Sequence, residues 1–97
     1  RDILMKYVLI IHEVESYPAW KKIFDQAAEM RKQAGEIRFQ LLRYDTQLNN
    51  IVHFSEWSSL IQARQFFESP ELVAIRRAAG VKAPEFIYLE EIERGQL

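Results

Sequence analysis

Two histidines and one arginine are the residues whose types and positions point most directly to chemistry. His12 and His53 are the only histidines, and because an imidazole titrates near neutrality it can accept the proton of a phenol. Arg31 falls within the apolar stripe of a predicted helix, between Phe24 and Ala27 on the helical wheel. A buried guanidinium there would bind an anionic substrate or a developing oxyanion. A hydrogen-bonded histidine pair and a structural ion pair are the alternative interpretations.

Five aromatic residues are candidates for contact with an aromatic ligand, because flat rings can stack on its faces. They are Trp20, Phe24, Tyr44, Trp57 and Tyr88. Aromatic residues at these spacings are also typical of a hydrophobic core, so ligand contact and core packing both remain open.

Thiol and metal chemistry have little support in the sequence. The chain contains no cysteine, which excludes a thiolate zinc site, an iron–sulfur cluster and a cysteine nucleophile. A metal bound by both histidines would need a carboxylate such as Glu13 or Glu90, and neither the H-x-H nor the H-x-x-x-H spacing occurs. We therefore expect no metal and no cofactor.

Length and charge limit the class of protein. A chain of 97 residues is long enough for one core and too short for two, so we predict one domain over residues 1–97. Thirteen Lys and Arg residues against fourteen Asp and Glu residues give a net charge of −1, which argues against a nucleic-acid partner. The apolar run from Tyr7 to Ile11 is too short to span a membrane, and the absence of cysteine fits a cytoplasmic protein. Residues 1–4 precede Met5 and are interpreted as a remnant of cloning or an upstream extension.

Hydrophobic periodicity, with Gly and Pro at the boundaries, predicts four strands and two helical segments. The strands are expected at 3–14, 37–45, 51–57 and 85–92, and the helical segments at 16–35 and 59–80, the second restarting at Ser69-Pro70. The order β-α-β-β-α-β is that of the ferredoxin-like α+β fold. Right-handed crossovers then predict the strand order 4-1-3-2 in an antiparallel sheet, with the first and third strands central.

The helices can cover one face of this sheet, and the second face needs another cover. That face is expected to carry Val8, Ile10, Leu42, Ile51, Trp57, Phe86 and Tyr88, together with His12, Arg38, Gln40, Tyr44, His53, Ser55 and Glu90. Because a large exposed apolar patch is unfavourable in water, we predict a homodimer formed sheet face to sheet face. The polar residues among them predict either a lined cavity or a wet rim at the sheet edges.

The two histidines are expected on this second face, as diagonal neighbours on the first and third strands. Two imidazoles at that distance resist double protonation, so at least one should stay neutral near pH 7 and serve as a base. Because this face is also the predicted dimer interface, mild acid is expected to loosen the dimer.

Short segments spread along the chain form a recognisable combination. They are Val14-Glu15-Ser16-Tyr17, Trp20, Phe24-Asp25, Arg31 with Gly35, Glu56-Trp57-Ser58-Ser59, Ser69-Pro70-Glu71-Leu72, and Ala79-Gly80-Val81 with Pro84. Together, over about residues 6–92, they resemble the antibiotic-biosynthesis-monooxygenase-like family of dimeric α/β barrels. The resemblance implies a protomer that dimerises through its sheet and, in the enzymes of the family, a pocket between sheet and helices. Some of those enzymes are oxidoreductases that oxidise polycyclic phenols with dioxygen and without metal or flavin.

The match to the enzymes of the family is uneven. Cofactor-free members pair an Asn on the third strand with a Trp near its end, helped by an Arg. Trp57 matches the Trp, but the position four residues earlier holds His53. Haem-degrading relatives carry a His on the helix before the last strand, and residues 70–79 contain none, so haem degradation is not expected.

Three functions follow from this reading. The first is a cofactor-independent monooxygenase, or a related proton-transfer enzyme, that acts on a small aromatic or quinone-like substrate through His12, His53 and Arg31. The second is a non-catalytic ligand-binding or accessory dimer with the same pocket, which the histidine in place of asparagine favours. The third is a domain whose surface only mediates assembly.

Overall fold

The computed structural model describes residues 4–97. Residues 1–3, and with them the expected strand start at Ile3, lie outside the described residues. The elements follow in the order β1 Lys6–Val14, α1 Tyr17–Gln26, α2 Ala28–Ala34, β2 Glu36–Arg43, β3 Asn50–Trp57, α3 Leu60–Glu68, α4 Pro70–Ala78 and β4 Val81–Glu90. No helix in residues 4–97 is long and apolar enough to cross a membrane.

The four strands form one sheet in the order β2-β3-β1-β4, and every neighbouring pair is antiparallel. Read from the other edge this is 4-1-3-2, so the predicted order and the ferredoxin-like fold are confirmed. β1 is hydrogen-bonded on both sides along most of its length, with β3 and with β4. The β1–β3 pair is therefore the centre on which the site is built.

The helix predicted over residues 16–35 is two helices, α1 and α2, separated at Ala27. In a continuous helix the carbonyl of Phe24 would accept the N–H of Ala28. Here that carbonyl accepts a hydrogen bond from Nη1 of Arg31. The side chain of Arg31 thus replaces a backbone donor, and the break follows from its burial.

β4 begins at Val81, four residues before the expected start. The difference arises from a bulge: Ile11 pairs with Glu85 and Glu13 with Lys82, so Ala83 and Pro84 lie outside the ladder opposite β1. Pro84 has no N–H to donate, and a bulge is where a strand tolerates proline. The sequence reading took Pro84 for a strand boundary, whereas it lies within a strand.

The assignment of the sheet faces was wrong for β1, β3 and β4. Val8, Ile10 and Trp57 pack against Ala63 and Phe67 of α3, and a second cluster joins β1 and β3 to α1. The helix-covered face therefore carries the residues of these strands that were expected on the second face: Val8, Ile10, His12, Ile51, His53, Ser55, Trp57, Phe86, Tyr88 and Glu90.

The face without helices, called the open face below, is largely apolar. Its residues, read from the strand register, are Tyr7, Leu9, Ile11, Leu42, Val52, Phe54, Ile87 and Leu89, with Arg38, Gln40 and Glu56. Only the β2 residues of the expected set, Arg38, Gln40 and Leu42, lie here. None of the eight apolar side chains is fully buried in a single chain, and Leu42 is 49% exposed.

Candidate active site

A pocket lies between the helix-covered face of the sheet and the four helices. The cavity has a volume of about 70 Å³ and opens to solvent. Most of its wall is apolar, and the aromatic part consists of Trp20, Phe24, Phe66 and Phe67. Four polar side chains interrupt this wall: His12, Arg31, His53 and Arg76. An apolar cavity with a few convergent polar groups is the usual form of a small-molecule site.

Arg31, Glu36 and His53 form a buried chain of contacts at one side of the pocket. Nε of Arg31 donates to Oε1 of Glu36 at 2.6 Å, and Oε2 of Glu36 lies 2.8 Å from Nε2 of His53. The guanidinium also stacks 3.7 Å above the ring of Phe24. An ionised carboxylate only accepts hydrogen bonds. Nε2 of His53 then carries the ring proton, which leaves Nδ1 as the acceptor for a pocket ligand.

Gly35 brings Glu36 to this position. It ends α2 with a φ of 125°, a conformation that favours glycine, and its N–H is bonded to the carbonyls of Arg31 and Lys32. A Cβ at this residue would approach Oγ of Ser58 to 2.9 Å. The turn is therefore tight enough that the first residue of β2 points its carboxylate back at α2.

His12 lies beside this chain of contacts but is not part of it. Because His12 pairs with Ile51 and Ile10 with His53, the two imidazoles are diagonal neighbours on the helix-covered face. His12 is 5% exposed, and neither ring nitrogen has a hydrogen-bond partner among residues 4–97. Burial, and after it the nearby charges of His53 and Arg76, lower the pKa of His12 to about 4. The ring is therefore neutral at pH 7.

A row of rings connects the two histidines along the wall. His12 lies 5.3 Å from Trp20, Trp20 stacks on Phe24 at 4.9 Å, and the ring of Phe24 meets His53 edge-on at 5.0 Å. A flat ligand placed in the pocket would contact this row.

The structure brings together five of the eight residues that the sequence suggested: His12, Arg31, His53, Trp20 and Phe24 all line the pocket. Tyr44 follows the end of β2 and is largely exposed, outside the pocket. Trp57 is buried behind the wall, where it packs on Phe66 and Phe67. Tyr88 lies in the adjoining core cluster, also outside the lining.

Sequence reasoning missed Glu36 and Arg76. Glu36 lay just before the predicted start of its strand, but a buried Arg31 requires a nearby carboxylate, and Glu36 is five residues away across a helix-ending glycine. Arg76 lies four residues after Leu72 on α4, next to the apolar stripe of that helix, and the sequence analysis gave it no role. Among the described residues no group of three or more His, Asp or Glu side chains is placed to hold a metal ion.

Comparison with known proteins adds a family to this geometry. Residues 14–78 match the family model described as antibiotic biosynthesis monooxygenase. No curated protein is significantly similar to the chain in sequence.

Among solved structures, the fold is similar to that of SnoaB, a cofactor-independent oxygenase from Streptomyces nogalater. The two share 17% identity with a TM-score of 0.70, over 99% of this chain and 98% of that one. A candidate antibiotic biosynthesis monooxygenase from Caulobacter crescentus has 23% identity and a TM-score of 0.70, over 92% and 91% of the two chains. A conserved protein from Methanosarcina mazei Go1 has 15% identity and a TM-score of 0.69, over 89% and 91%. At these identities the likeness is one of fold.

Proposed function

Because the chain belongs to the antibiotic biosynthesis monooxygenase family, we propose that its pocket binds a small hydroxylated aromatic or quinone-like substrate and oxidises it with dioxygen, without a cofactor. His53 is the base in this proposal. The observation that carries it is the contact of Glu36 with His53 on one carboxylate oxygen and with Arg31 on the other, inside an aromatic pocket.

The role of Glu36 is to orient His53 and to stabilise its charged form. A carboxylate on Nε2 fixes the tautomer of the ring, turns Nδ1 into the acceptor and favours the imidazolium that forms when a proton is taken up. Arg31 holds the carboxylate in place through its hydrogen bond from Nε to Oε1.

The reaction needs no electron donor other than the substrate. His53 takes a proton from the substrate, and the resulting negative charge spreads onto a ring carbon. Dioxygen adds to that carbon and forms a peroxide, which takes the proton back from His53. Loss of water then leaves a carbonyl, so that a ring CH2 group and O2 become C=O and H2O. His12, which is neutral at pH 7, supplies a hydrogen bond to a substrate oxygen in the same pocket.

The functional unit in this proposal is a homodimer formed through the open face. Eight apolar side chains from all four strands are partly exposed there in a single chain, and Tyr7 stacks on Phe54 at 4.9 Å in the middle of them. Burying such a face against a second copy removes it from water. The pocket lies on the other side of the sheet, so each protomer has its own.

Oxygen consumption tests the catalytic proposal. With 1,8-dihydroxyanthrone as the substrate, the protein should consume O2 faster than the uncatalysed reaction and release the corresponding quinone. His53→Gln and Glu36→Gln should each lower the rate by about 100-fold or more, the usual worth of a positioned base. Glu29→Gln, an exposed change on α2, is the matched control and should leave the rate unchanged. Equal rates with and without the protein, or full activity in His53→Gln, would refute the proposal.

Ligand binding without turnover is the second candidate function. It is favoured by the fact that Arg31, Glu36 and His53 already satisfy one another by ionic and hydrogen-bond contacts. A buried network with a purely structural role is satisfied in the same way. Under this alternative the same aromatic compounds raise the melting temperature of the protein, while no oxygen is consumed.

A further inference from the structure

Arg76 brings a positive charge to the pocket wall that no carboxylate of residues 4–97 neutralises. It projects from α4, where Nη1 donates to the carbonyl of Phe67 at 2.8 Å and the guanidinium lies 4.7 Å from the centre of the Phe86 ring. Among residues 4–97 no Asp or Glu forms an ion pair with it. A half-buried charge against an apolar wall is unfavourable unless a counter-charge reaches it.

The two arginines of the pocket differ in whether a carboxylate pairs with them, and they lie over opposite edges of the sheet. Arg31 is paired with Glu36 and lies 5.4 Å from the ring of Phe39 on β2. Arg76 stands over Phe86 on β4. β2 and β4 are the outer strands, three strand spacings apart, which is roughly 14 Å. The pocket therefore has a neutralised end and an end with a free positive charge.

His12 lies between these two ends, on β1, with His53 on one neighbouring strand and β4 on the other. Its imidazole and the guanidinium of Arg76 line the same pocket. Its two nitrogens are buried and have no partner in the described part of the chain, and the residue forms part of the pocket wall. A buried donor and acceptor left without partners is costly, and a ligand oxygen would satisfy them.

We propose that Arg76 and His12 form an anion-binding end of the pocket, and that the substrate is an aromatic acid. Its carboxylate pairs with Arg76 and accepts a hydrogen bond from His12, while its hydroxyl group lies beside His53, one strand further across the sheet. The inference rests on the proposed function only in that the pocket is the ligand site, and it requires no turnover.

Calorimetric titration with three naphthalene compounds tests the charge preference directly. The probes are 6-hydroxy-2-naphthoate, which carries a hydroxyl and a carboxylate at opposite ends, its neutral amide 6-hydroxy-2-naphthamide, and 2-naphthol. At neutral pH the wild-type protein should bind the naphthoate about tenfold or more tightly than the amide, as expected for a charge-assisted contact.

Substitutions then assign the preference to one residue. Arg76→Met should reduce the naphthoate-to-amide ratio to about one and leave 2-naphthol binding unchanged, since the apolar wall is retained. Arg77→Met removes an exposed arginine from the same helix and should keep the preference. His12→Leu should weaken both the naphthoate and the amide, because each loses the same hydrogen bond.

The outcomes separate this inference from the oxygenase proposal. Equal affinity of the wild-type protein for the naphthoate and the amide overturns the inference of an anion-binding end, even if the protein consumes oxygen. This comparison uses the wild-type protein alone and does not depend on the folding of a variant. A preference that survives in Arg76→Met also overturns it. Selective, Arg76-dependent binding supports it whether or not the protein consumes oxygen with 1,8-dihydroxyanthrone. Failure of all three compounds to bind overturns the inference.

Discussion

At the scale of single residues, Glu36 connects the parts of the site that carry charge. It is buried and has one oxygen on Arg31 and the other on His53. The guanidinium is in turn held by the carbonyl of Phe24 and by the face of the Phe24 ring. Removing any member leaves another buried polar group unpaired, so these residues are coupled and their individual contributions are not additive.

Loss of the carboxylate should therefore be costly. We expect Glu36→Gln to destabilise the protein by about 3–5 kcal/mol, because Arg31 then keeps a buried charge without its partner. Unfolding in urea measures the change. Glu29→Gln removes an exposed carboxylate from the neighbouring helix and should cost at most about 1 kcal/mol. Similar losses in the two variants would show that Arg31 finds another partner.

His12 should make the stability depend on pH. Its pKa is 6.5 when exposed to water and about 4 in the folded protein, so folding disfavours the protonated ring. The contribution of His12 to the free energy of unfolding is therefore complete above about pH 6.5. It falls as the pH drops from 6.5 towards 4 and changes little below that. The full difference for this group is about 3 kcal/mol. Urea unfolding between pH 4 and 6.5 should show that the free energy of unfolding depends less steeply on pH in His12→Leu than in the wild-type protein. The same steepness in both proteins would contradict the low pKa of His12.

Because both histidines face the helices, acid acts on the packing inside one protomer. The earlier expectation that it loosens a dimer through these residues placed them on the wrong face. Their being neighbours was predicted, since strand order and residue spacing determine it. Which face they occupy depends on packing partners that a strand apolar on both sides does not reveal.

At the scale of elements, the strand order and most boundaries followed from periodicity, caps and turn residues. The predictions that were wrong concerned features that depend on contacts between residues distant in sequence. α1 and α2 are separate because a side chain takes a backbone carbonyl, and β4 is extended past a bulge opposite His12. Polar residues such as Ser55 also misled the assignment of faces. They were expected on the face without helices, in a lined cavity or a wet rim, whereas Oγ of Ser55 is buried on the helix-covered face and accepts from Nε1 of Trp57 at 2.8 Å.

Trp57 joins β3 to α3 and should be a major contributor to stability. It is buried at the end of β3 and packs on Phe66 and Phe67 of the helix that follows. We expect Trp57→Ala to cost about 3–5 kcal/mol in urea unfolding. Ile61→Ala changes an exposed residue of the same helix and should cost less than about 0.5 kcal/mol. A loss below about 1 kcal/mol for Trp57→Ala would show that the cavity closes or that the ring is not part of the core.

At the scale of the whole molecule, the sheet separates two surfaces of different composition. One face holds the helices and the pocket, and the other is an apolar surface without helices. The proposed dimer covers the second surface and leaves both pockets free. This division explains why the polar residues of the sheet centre belong to the pocket and not to the interface.

Mass in solution tests the dimer. A single chain has a mass of 11.5 kDa, and light scattering at micromolar concentration should give twice that value for the wild-type protein. Ile11→Lys places a charge in the middle of the open face and should shift the mass to that of one chain, because an unpaired buried charge is unfavourable. Ile61→Lys, at an exposed position on α3, is the control and should stay dimeric. A monomeric wild-type protein would contradict the proposal.

The central position of β1 has a consequence for synthesis on the ribosome. β1 is the earliest strand of the described chain to emerge, yet its partners begin only at Asn50 and Val81. Until β4 emerges, a strand that is apolar on both sides has an unpaired edge, which is the kind of segment that aggregates in nascent chains. Slowing translation after β3 should therefore increase chaperone association, and moving β4 ahead of β1 by circular permutation should reduce it.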